Sequence, residues 1–257
     1  MRTLITTIAM LFSSMSLSAQ IIDTLINKSS LRPFTVSVKV PDGNYRVTVT
    51  LGDKKRAAQT VVRAESRRHY TDAIATKKGQ YRTVSFVVNK HTTPIDGKRE
   101  VKLKPREVTY MNWDDSLNIS FCGPAPAVQR IRIEPDHQAT TVFLCGNSTV
   151  VDQENEPWAS WGQMITRWFD DHIVVANYAA HTFPGQDKPL ADNTHFNPFG
   201  AWEVAKMVVM GLKQIQSPLA GFLRADWHDF DPSHPDDPDT FVWHMSAGSN
   251  ITKPDGN

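Results

Sequence analysis

Apolar and polar residues alternate in short runs between residues 34 and 134. FTVSVKV (34–40) and YRVTVTL (45–51) each place every second side chain on one face, and the PDGN between them favours a turn, so we predict a hairpin of two strands. The same alternation recurs in RTVSFVVN (82–89), EVKLK (100–104), SLNISF (116–121) and QRIRIE (129–134). Short strands separated by turn residues predict an all-β sandwich domain at residues 30–135.

The pattern changes after residue 140. TVFLC (141–145) and IVVANY (173–178) are continuous apolar runs, which are typical of parallel strands buried on both faces. A helix is predicted from Pro157, and NPFGAWEVAKMVVMGLK (197–213) predicts another with one apolar face. The order strand, helix, strand, helix predicts an α/β domain at residues 140–257.

The first residues, MRTLITTIAMLFSSMSLSAQ, combine an early arginine, an apolar run and small residues. This layout predicts a signal peptide at residues 1–19 and an exported protein, periplasmic or extracellular. No later segment is long and apolar enough for a membrane span. A net charge of +1 does not favour nucleic acid as a partner. The two cysteines, Cys122 and Cys145, are expected to be buried free thiols.

Candidate chemistry centres on Ser148, which follows the apolar run in FLCGNSTVVDQ (143–153). Asp192 and His195 lie three residues apart, just before the second predicted helix. Acyl transfer needs a serine, a base that takes its proton and a carboxylate that orients the base. Each fragment is common by itself, but the two together indicate a serine hydrolase.

The segments that carry these residues, CGNSTVVDQENEPWASWGQMITRWF (145–169) and DNTHFNPFGAWEVAK (192–206), resemble the SGNH (GDSL-type) hydrolases, and within them the rhamnogalacturonan acetylesterases. The resemblance implies a flavodoxin-like α/β domain and a triad of Ser148, Asp192 and His195. It also implies that the backbone N–H of Ser148 serves the oxyanion hole, and that neither a metal nor an organic cofactor is needed. The preceding sandwich is similar to the accessory domain of such esterases.

The centre of the family's catalytic domain is missing from this sequence. Ser148 and His195 are 47 positions apart, and no Gly-x-Asn-Asp block lies anywhere in the chain, so the remaining oxyanion donors of the family are absent. One βαβ unit takes roughly 30 residues, so this interval encodes two parallel strands where the family has more. We therefore expect a shortened SGNH domain.

The resemblance implies a carbohydrate esterase that deacetylates a plant cell-wall polysaccharide such as rhamnogalacturonan, so its partner would be an acetylated polysaccharide or oligosaccharide. The missing blocks leave an alternative open, in which the chain is a non-catalytic remnant whose sandwich binds polysaccharide or a partner. Exchange of strands between two chains would also complete the sheet.

Two groups outside the triad have functional interpretations of their own. Tyr81, Tyr110 and Trp113 could stack on a sugar, although packing in the core is the favoured interpretation. Arg67 and Arg68 could mark an anion-binding edge, although a charged loop is the ordinary explanation for such a pair.

Overall fold

The computed structural model describes residues 21–95, 97–177 and 195–247, so the predicted signal peptide at 1–19 lies outside the described residues. The strands are β1 (Ile22–Ser29), β2 (Phe34–Lys39), β3 (Gly43–Leu51), β4 (Ala58–Ala64), β5 (Arg68–His69), β6 (Ile74–Thr76), β7 (Arg82–Lys90), β8 (Ser116–Ala125), β9 (Ala127–Pro135), β10 (Thr140–Leu144) and β11 (Ile173–Asn177). The α-helices are α1 (Trp161–Met164) and α2 (Pro198–Gln214). Short 3-10 helices lie at Glu107–Thr109, Met111–Trp113, Ile165–Arg167 and Pro218–Phe222.

Strands β1 to β9 form two antiparallel sheets that enclose one apolar core. One sheet has the order β1-β9-β3-β7, and the other has the order β2-β8-β4-β5 with β6 also paired to β4. The alternation in β3 explains the packing, because Val47, Val49 and Leu51 are completely buried while the residues between them are only partly buried. From the opposite sheet, Leu117 and Ile119 of β8 fill the same core. Two antiparallel sheets around one core are what the alternating pattern predicts, but the first strand begins at Ile22, before the predicted bound of residue 30.

The predicted hairpin of residues 34–40 and 45–51 is wrong. β2 pairs with β8 in one sheet, whereas β3 pairs with β7 and β9 in the other, so the PDGN connection crosses the sandwich. Two strands that each carry one apolar face bury it equally well side by side or across a core, and alternation does not distinguish these arrangements.

The strand predicted at EVKLK (100–104) is also wrong, because Glu100 makes only an isolated bridge to Pro94. Val101 and Leu103 are only half-buried, and residues 101–104 belong to no strand of either sheet. Strands β1 and β4 were not predicted, since IDTLINKS and AQTVVRA lack a clean alternation. Neighbouring strands in the sheets supply the hydrogen bonds that hold them.

The second half of the chain contains a parallel pair rather than a recognisable doubly wound sheet. β10 and β11 pair in parallel from Thr140↔Ile173 to Leu144↔Asn177, and no further strand joins this sheet among the described residues. β11 is buried along its whole length, as predicted. β10 is not buried on both faces, since the Phe143 side chain is 64% exposed. The described chain is mostly β-sheet, with two α-helices.

Helix α2 follows the prediction closely, because Asn197 caps it by accepting from the Gly200 N–H and Pro198 occupies its first turn. The helix predicted from Pro157 begins later, at Trp161. Ser160 is its cap, in a reciprocal capping box with Gln163, so the preceding residues stay extended.

Two further sequence predictions concern thiols and membranes. Both cysteines are free, and Cys122 is buried as expected, but Cys145 is exposed because it lies just beyond the uncovered end of β10. Within residues 21–95, 97–177 and 195–247, no helix has both the length and the apolar character needed to cross a bilayer.

Candidate functional site

The turn that carries Ser148 follows the carboxyl end of β10. The Asn147 side-chain oxygen accepts hydrogen bonds from the Thr149 N–H at 3.0 Å and the Thr149 hydroxyl at 2.7 Å. The N–H groups of Val150 and Val151 both donate to the Asn147 carbonyl, at 3.0 and 3.1 Å. Asn147 therefore holds the turn around Ser148, which is the role that an aspartate or asparagine plays in tight turns.

Gly146, which precedes Asn147 in the turn, lies close to the Val150 side chain. A Cβ at this position would lie 2.6 Å from Val150 Cγ2, well inside van der Waals contact. In the Gly-Asn-Ser sequence, the glycine thus leaves room for the Val150 side chain, and the asparagine supplies the hydrogen bonds of the turn.

His195 lies in a segment that binds the same part of the chain as the serine turn. The Ala159 N–H donates to the carbonyl of Phe196, the next residue, at 2.8 Å. Two residues further on, the Trp161 N–H donates to the carbonyl of Thr149 at 3.2 Å. Segment Ala159–Trp161 therefore connects the serine turn on one side to the histidine segment on the other.

The three predicted triad residues are described unequally. Ser148 and His195 are both half-buried, and the hydrogen bonds above place their segments at one end of the parallel pair. Asp192 lies outside the described residues. Ligand sites of α/β proteins commonly lie at the carboxyl ends of parallel strands, and this is where Ser148 is found.

A buried network of charges lies directly beneath the serine turn. Its carboxylates follow Ser148 in the sequence VDQENEP, at Asp152, Glu154 and Glu156. Its guanidinium groups come from the β4–β5 region of the sandwich, at Arg63, Arg67 and Arg68, whose side chains are at most 2% exposed. Arg67 and Arg68 are therefore not a charged surface loop, nor an anion-binding edge open to solvent.

Arg68 forms the centre of this network. Its Nε donates to the Asp152 carboxylate at 2.6 Å and its Nη1 donates to the Asn89 carbonyl at 2.8 Å. Asn177, the last residue of β11, donates to the other oxygen of Asp152 at 2.8 Å and to the Val150 carbonyl at 2.7 Å. Burial acts most strongly and lowers the pKa of Arg68, but the charge and hydrogen bond of Asp152, together with the other acidic groups nearby, outweigh it, and the pKa stays above its usual value.

Neighbouring groups extend the network. Arg67 donates to the carbonyls of Gln153 at 2.9 Å and Trp158 at 3.0 Å. Burial lowers the pKa of Arg67 to about 10 and raises the pKa of the Glu65 carboxyl to about 8. Glu65 is therefore predominantly protonated at neutral pH, which removes one negative charge from the buried set. Ser66 donates to the Glu154 carboxylate.

Glu156 fastens the C-terminal segment to this region. The indole N–H of Trp243 donates to one Glu156 oxygen at 2.7 Å, and the backbone N–H of Ser246 donates to the other at 3.1 Å. Arg63 donates to the Ser246 hydroxyl at 2.5 Å, and its guanidinium lies 3.6 Å from the centre of the Trp243 ring. The tail, residues 225–247, contains neither a helix nor a strand, and these specific contacts hold its end in place.

Sequence patterns did not indicate the buried arginines as a connecting network. The available signal was complementary charge, since RAESRRH between two strands carries three arginines and VDQENEP carries three carboxylates. Tyr110 and Trp113 are buried, as the core interpretation predicts, but that interpretation is wrong for Tyr81, which lies at the surface.

One group of three possible metal ligands occurs in the described part of the chain, at Asp170, Asp171 and His172. Arg46 already binds the Asp171 carboxylate, and His172 Nδ1 lies 3.1 Å from an Asp170 oxygen. These side chains are partly or largely exposed and already have partners, and the group shares no residue with the serine turn.

Comparison with known proteins adds little to this geometry. No protein-family model matches the sequence, and no curated protein matches it. Among solved structures, the chain is similar to the crystal structure of protein YxiM from Bacillus subtilis, with 21% sequence identity and a TM-score of 0.24. The match covers 63% of this chain and 46% of that chain, so the chain spans about half the length of that structure.

Proposed function

We propose that this protein is a serine esterase of the SGNH type that removes acetyl groups from a plant cell-wall polysaccharide such as rhamnogalacturonan. The observation that carries the proposal is the position of Ser148 on a turn fixed by Asn147, with the His195 segment hydrogen-bonded to the same Ala159–Trp161 stretch. The β10–β11 pair would then be what remains of a flavodoxin-like sheet, and the protein would act after export.

The chemistry follows from the residue types. The Ser148 hydroxyl oxygen attacks the acetyl carbonyl carbon while His195 takes the hydroxyl proton. His195 then returns that proton to the sugar oxygen as its bond to the carbonyl carbon breaks, which leaves an acetyl-serine. Water, activated in the same way, releases acetate. Asp192 orients the imidazole and stabilises its charged form, and no metal or organic cofactor takes part.

The shortened domain limits the expected rate. The Ser148 N–H is one oxyanion donor, and the sequence lacks the glycine and asparagine blocks that supply the others in the family. Loss of one such donor typically lowers the rate by about 100- to 1000-fold. We therefore expect slow turnover that depends on Ser148.

A second function is favoured by one specific observation, the incomplete covering of β10. A two-stranded parallel sheet with an edge residue such as Phe143 exposed is a weak support for a triad that must be positioned within about 1 Å. In this alternative the chain is a non-catalytic remnant, and its sandwich binds polysaccharide or a partner.

Labelling with a serine-directed fluorophosphonate distinguishes the two functions. The folded, purified protein is treated with the reagent, and the modified peptide is then located by mass spectrometry. We expect labelling at Ser148, loss of it in Ser148→Ala, and no change in Ser233→Ala, which removes an exposed serine of the tail. A folded sample that is unlabelled at Ser148 would refute the esterase proposal and support the remnant.

A further inference from the structure

A cleft of about 660 Å³ separates the edge of the sandwich from the C-terminal segment. One wall comes from β4 and the residues after β5, and the other comes from α2 and residues 236–244. Clefts that bind small molecules commonly measure about 300 to 1000 Å³ and combine aromatic walls with a few polar groups. The cleft contains neither Ser148 nor His195, so it is separate from the site proposed above.

Aromatic rings form one side of the cleft. Phe241 and Trp243 are nearly parallel, at 13° with centroids 6.5 Å apart, and Trp202 lies 6.1 Å from Phe241. Trp243 is held in place from behind, because Arg63 lies against its ring and Glu156 accepts from its indole N–H. A rigid aromatic surface of this kind binds a flat ligand with little loss of side-chain entropy.

Carboxylates surround the aromatic rings. Asp72 accepts from Arg167 at 2.7 Å, and Asp236 accepts from Lys206 at 2.6 Å and from the Trp202 indole at 3.1 Å. Burial acts to raise the pKa of Asp236, but Lys206 and Trp202 outweigh it and hold the pKa below its usual value. Fixed, ionised carboxylates keep further lone pairs for hydrogen-bond donors that enter the cleft.

The ligand that fits this chemistry has C–H groups on a flat face and hydroxyl groups at its edge. The negative face of an aromatic ring attracts such C–H groups, and carboxylates accept from hydroxyls in short, strong hydrogen bonds. From these features we propose that the cleft between the sandwich edge and residues 236–244 binds an uncharged oligosaccharide. This binding does not depend on the esterase chemistry, and it adds a second carbohydrate site to the protein.

The charges of the cleft exclude acidic sugars. Asp72, Asp236 and Asp237 line it, while Arg167 and Lys206 are already paired with two of these carboxylates. Arg63 is buried behind the Trp243 ring. Among the residues that the structure describes at this cleft, the cations are thus already paired or buried, so a uronic acid would bring its carboxylate towards like charges.

The test is isothermal titration calorimetry of the exported protein with cellohexaose, xylohexaose, mannohexaose and hexagalacturonic acid. We expect saturable binding of at least one neutral hexasaccharide, and at least tenfold weaker binding of hexagalacturonic acid. The acid is the matched probe, because it has similar size and differs in charge. These hexasaccharides carry no acetyl ester, so their binding reports on the cleft and not on turnover at Ser148, which separates this proposal from the esterase.

Substitutions at Phe241 test the aromatic surface. Phe241→Leu keeps an apolar side chain for packing but removes the flat ring, and Phe241→Ala removes both. We expect both variants to weaken binding by about 2- to 10-fold, the range for one aromatic contact. Tyr81→Ala is the control, since Tyr81 is an exposed aromatic outside the cleft.

Asp237→Lys tests the exclusion by charge. This substitution adds a cation at an exposed position, so it should reduce the difference in affinity between the neutral sugars and hexagalacturonic acid. The proposal is overturned if none of the three neutral sugars binds the folded protein. It is also overturned if Phe241→Leu binds as tightly as the unaltered chain, or if hexagalacturonic acid binds equally well.

Discussion

Gly162, near the start of α1, lets that helix pack directly on the loop after Ser148. A Cβ at this position would overlap the Val150 carbonyl oxygen and would lie 2.9 Å from the Asn177 side-chain nitrogen. Both neighbours are fixed, since Asn177 donates to that same carbonyl. The absence of one methyl group therefore allows α1, the serine turn and β11 to meet.

We predict that Gly162→Ala lowers the free energy of unfolding by about 1–3 kcal/mol, because buried backbone must move to admit the methyl group. The matched control is Gly211→Ala in α2, where nothing lies within 4 Å of the new Cβ. There alanine should raise stability by about 0.5–1 kcal/mol, as its helix propensity is higher. Urea unfolding measures both, and equal effects at the two positions would refute the steric argument.

Among the elements, α2 depends on a local signal that the sequence displays. The Asn197 side chain accepts from the Gly200 N–H at 2.8 Å, and the helix then buries Ala201, Ala205 and Val209 completely. The cap and the apolar spacing both depend only on residues close together in the sequence. This helix could therefore be predicted with its boundaries.

Removing the cap tests this dependence. Asn197→Ala should lower the free energy of unfolding by about 0.5–2 kcal/mol, because one N–H of the first turn loses its acceptor. Asn197→Asp keeps an acceptor at the same place and should retain most of the stability. Chemical denaturation of both variants, followed by far-ultraviolet circular dichroism, gives the comparison; a loss of the same size in Asn197→Asp would contradict the capping role.

β10 and β11 illustrate where prediction at this scale fails. Both are continuous apolar runs, and the sequence predicts burial on both faces for each. β11 is buried throughout because the sandwich strand β7 lies near it and because Ile173 and Val175 share an apolar cluster with Met164 of α1, whereas Phe143 on β10 is largely exposed. The elements that cover a strand can be distant in sequence, and an apolar run does not indicate which elements these are.

For the molecule as a whole, the ion pair of Arg68 and Asp152 joins the sandwich to the segment after Ser148. Arg68→Met leaves a buried carboxylate without its cation, and we expect a loss of about 3–5 kcal/mol in the free energy of unfolding. Adding Asp152→Asn removes the charge left behind. The double variant should therefore lose less free energy of unfolding than the two single variants lose in sum. Additive losses in urea unfolding would show that the pair is not coupled.

Stability should also depend on pH through His91. Burial, and next the charge of Arg68, lower the pKa of His91 to about 3, against about 6.5 in an unfolded chain. The unfolded chain therefore binds more protons between these values, so stability is full above pH 6.5 and falls as the pH drops towards 3.

Between pH 6.5 and pH 4.5 the loss from this one residue should be about 2–3 kcal/mol. His91→Gln should show a correspondingly flatter dependence in urea unfolding across that range. His137→Gln, at an exposed position, is the control and should keep the slope of the unaltered chain. An unchanged slope in His91→Gln would contradict the prediction.

The sequence by itself determined the local features. Alternation predicted the sandwich strands β2, β3, β7, β8 and β9 but not β1 or β4, Asn197 and Pro198 indicated the start of α2, and the Gly-Asn-Ser turn placed Ser148 after a strand. Each depends on residues close together in the chain, where steric fit, capping and period-two or period-3.6 burial act before the fold is complete.

Only the tertiary structure decided which surfaces meet. It placed β2 and β3 in different sheets, buried Arg63, Arg67 and Arg68 against the carboxylates after Ser148, and left β10 partly uncovered. The free-energy cost of burying a charge is offset only by a partner of opposite charge, and here that partner is distant in sequence. The sequence alone does not identify it. The cleft between the sandwich edge and residues 236–244 arises for the same reason, because its walls come from segments far apart in the chain.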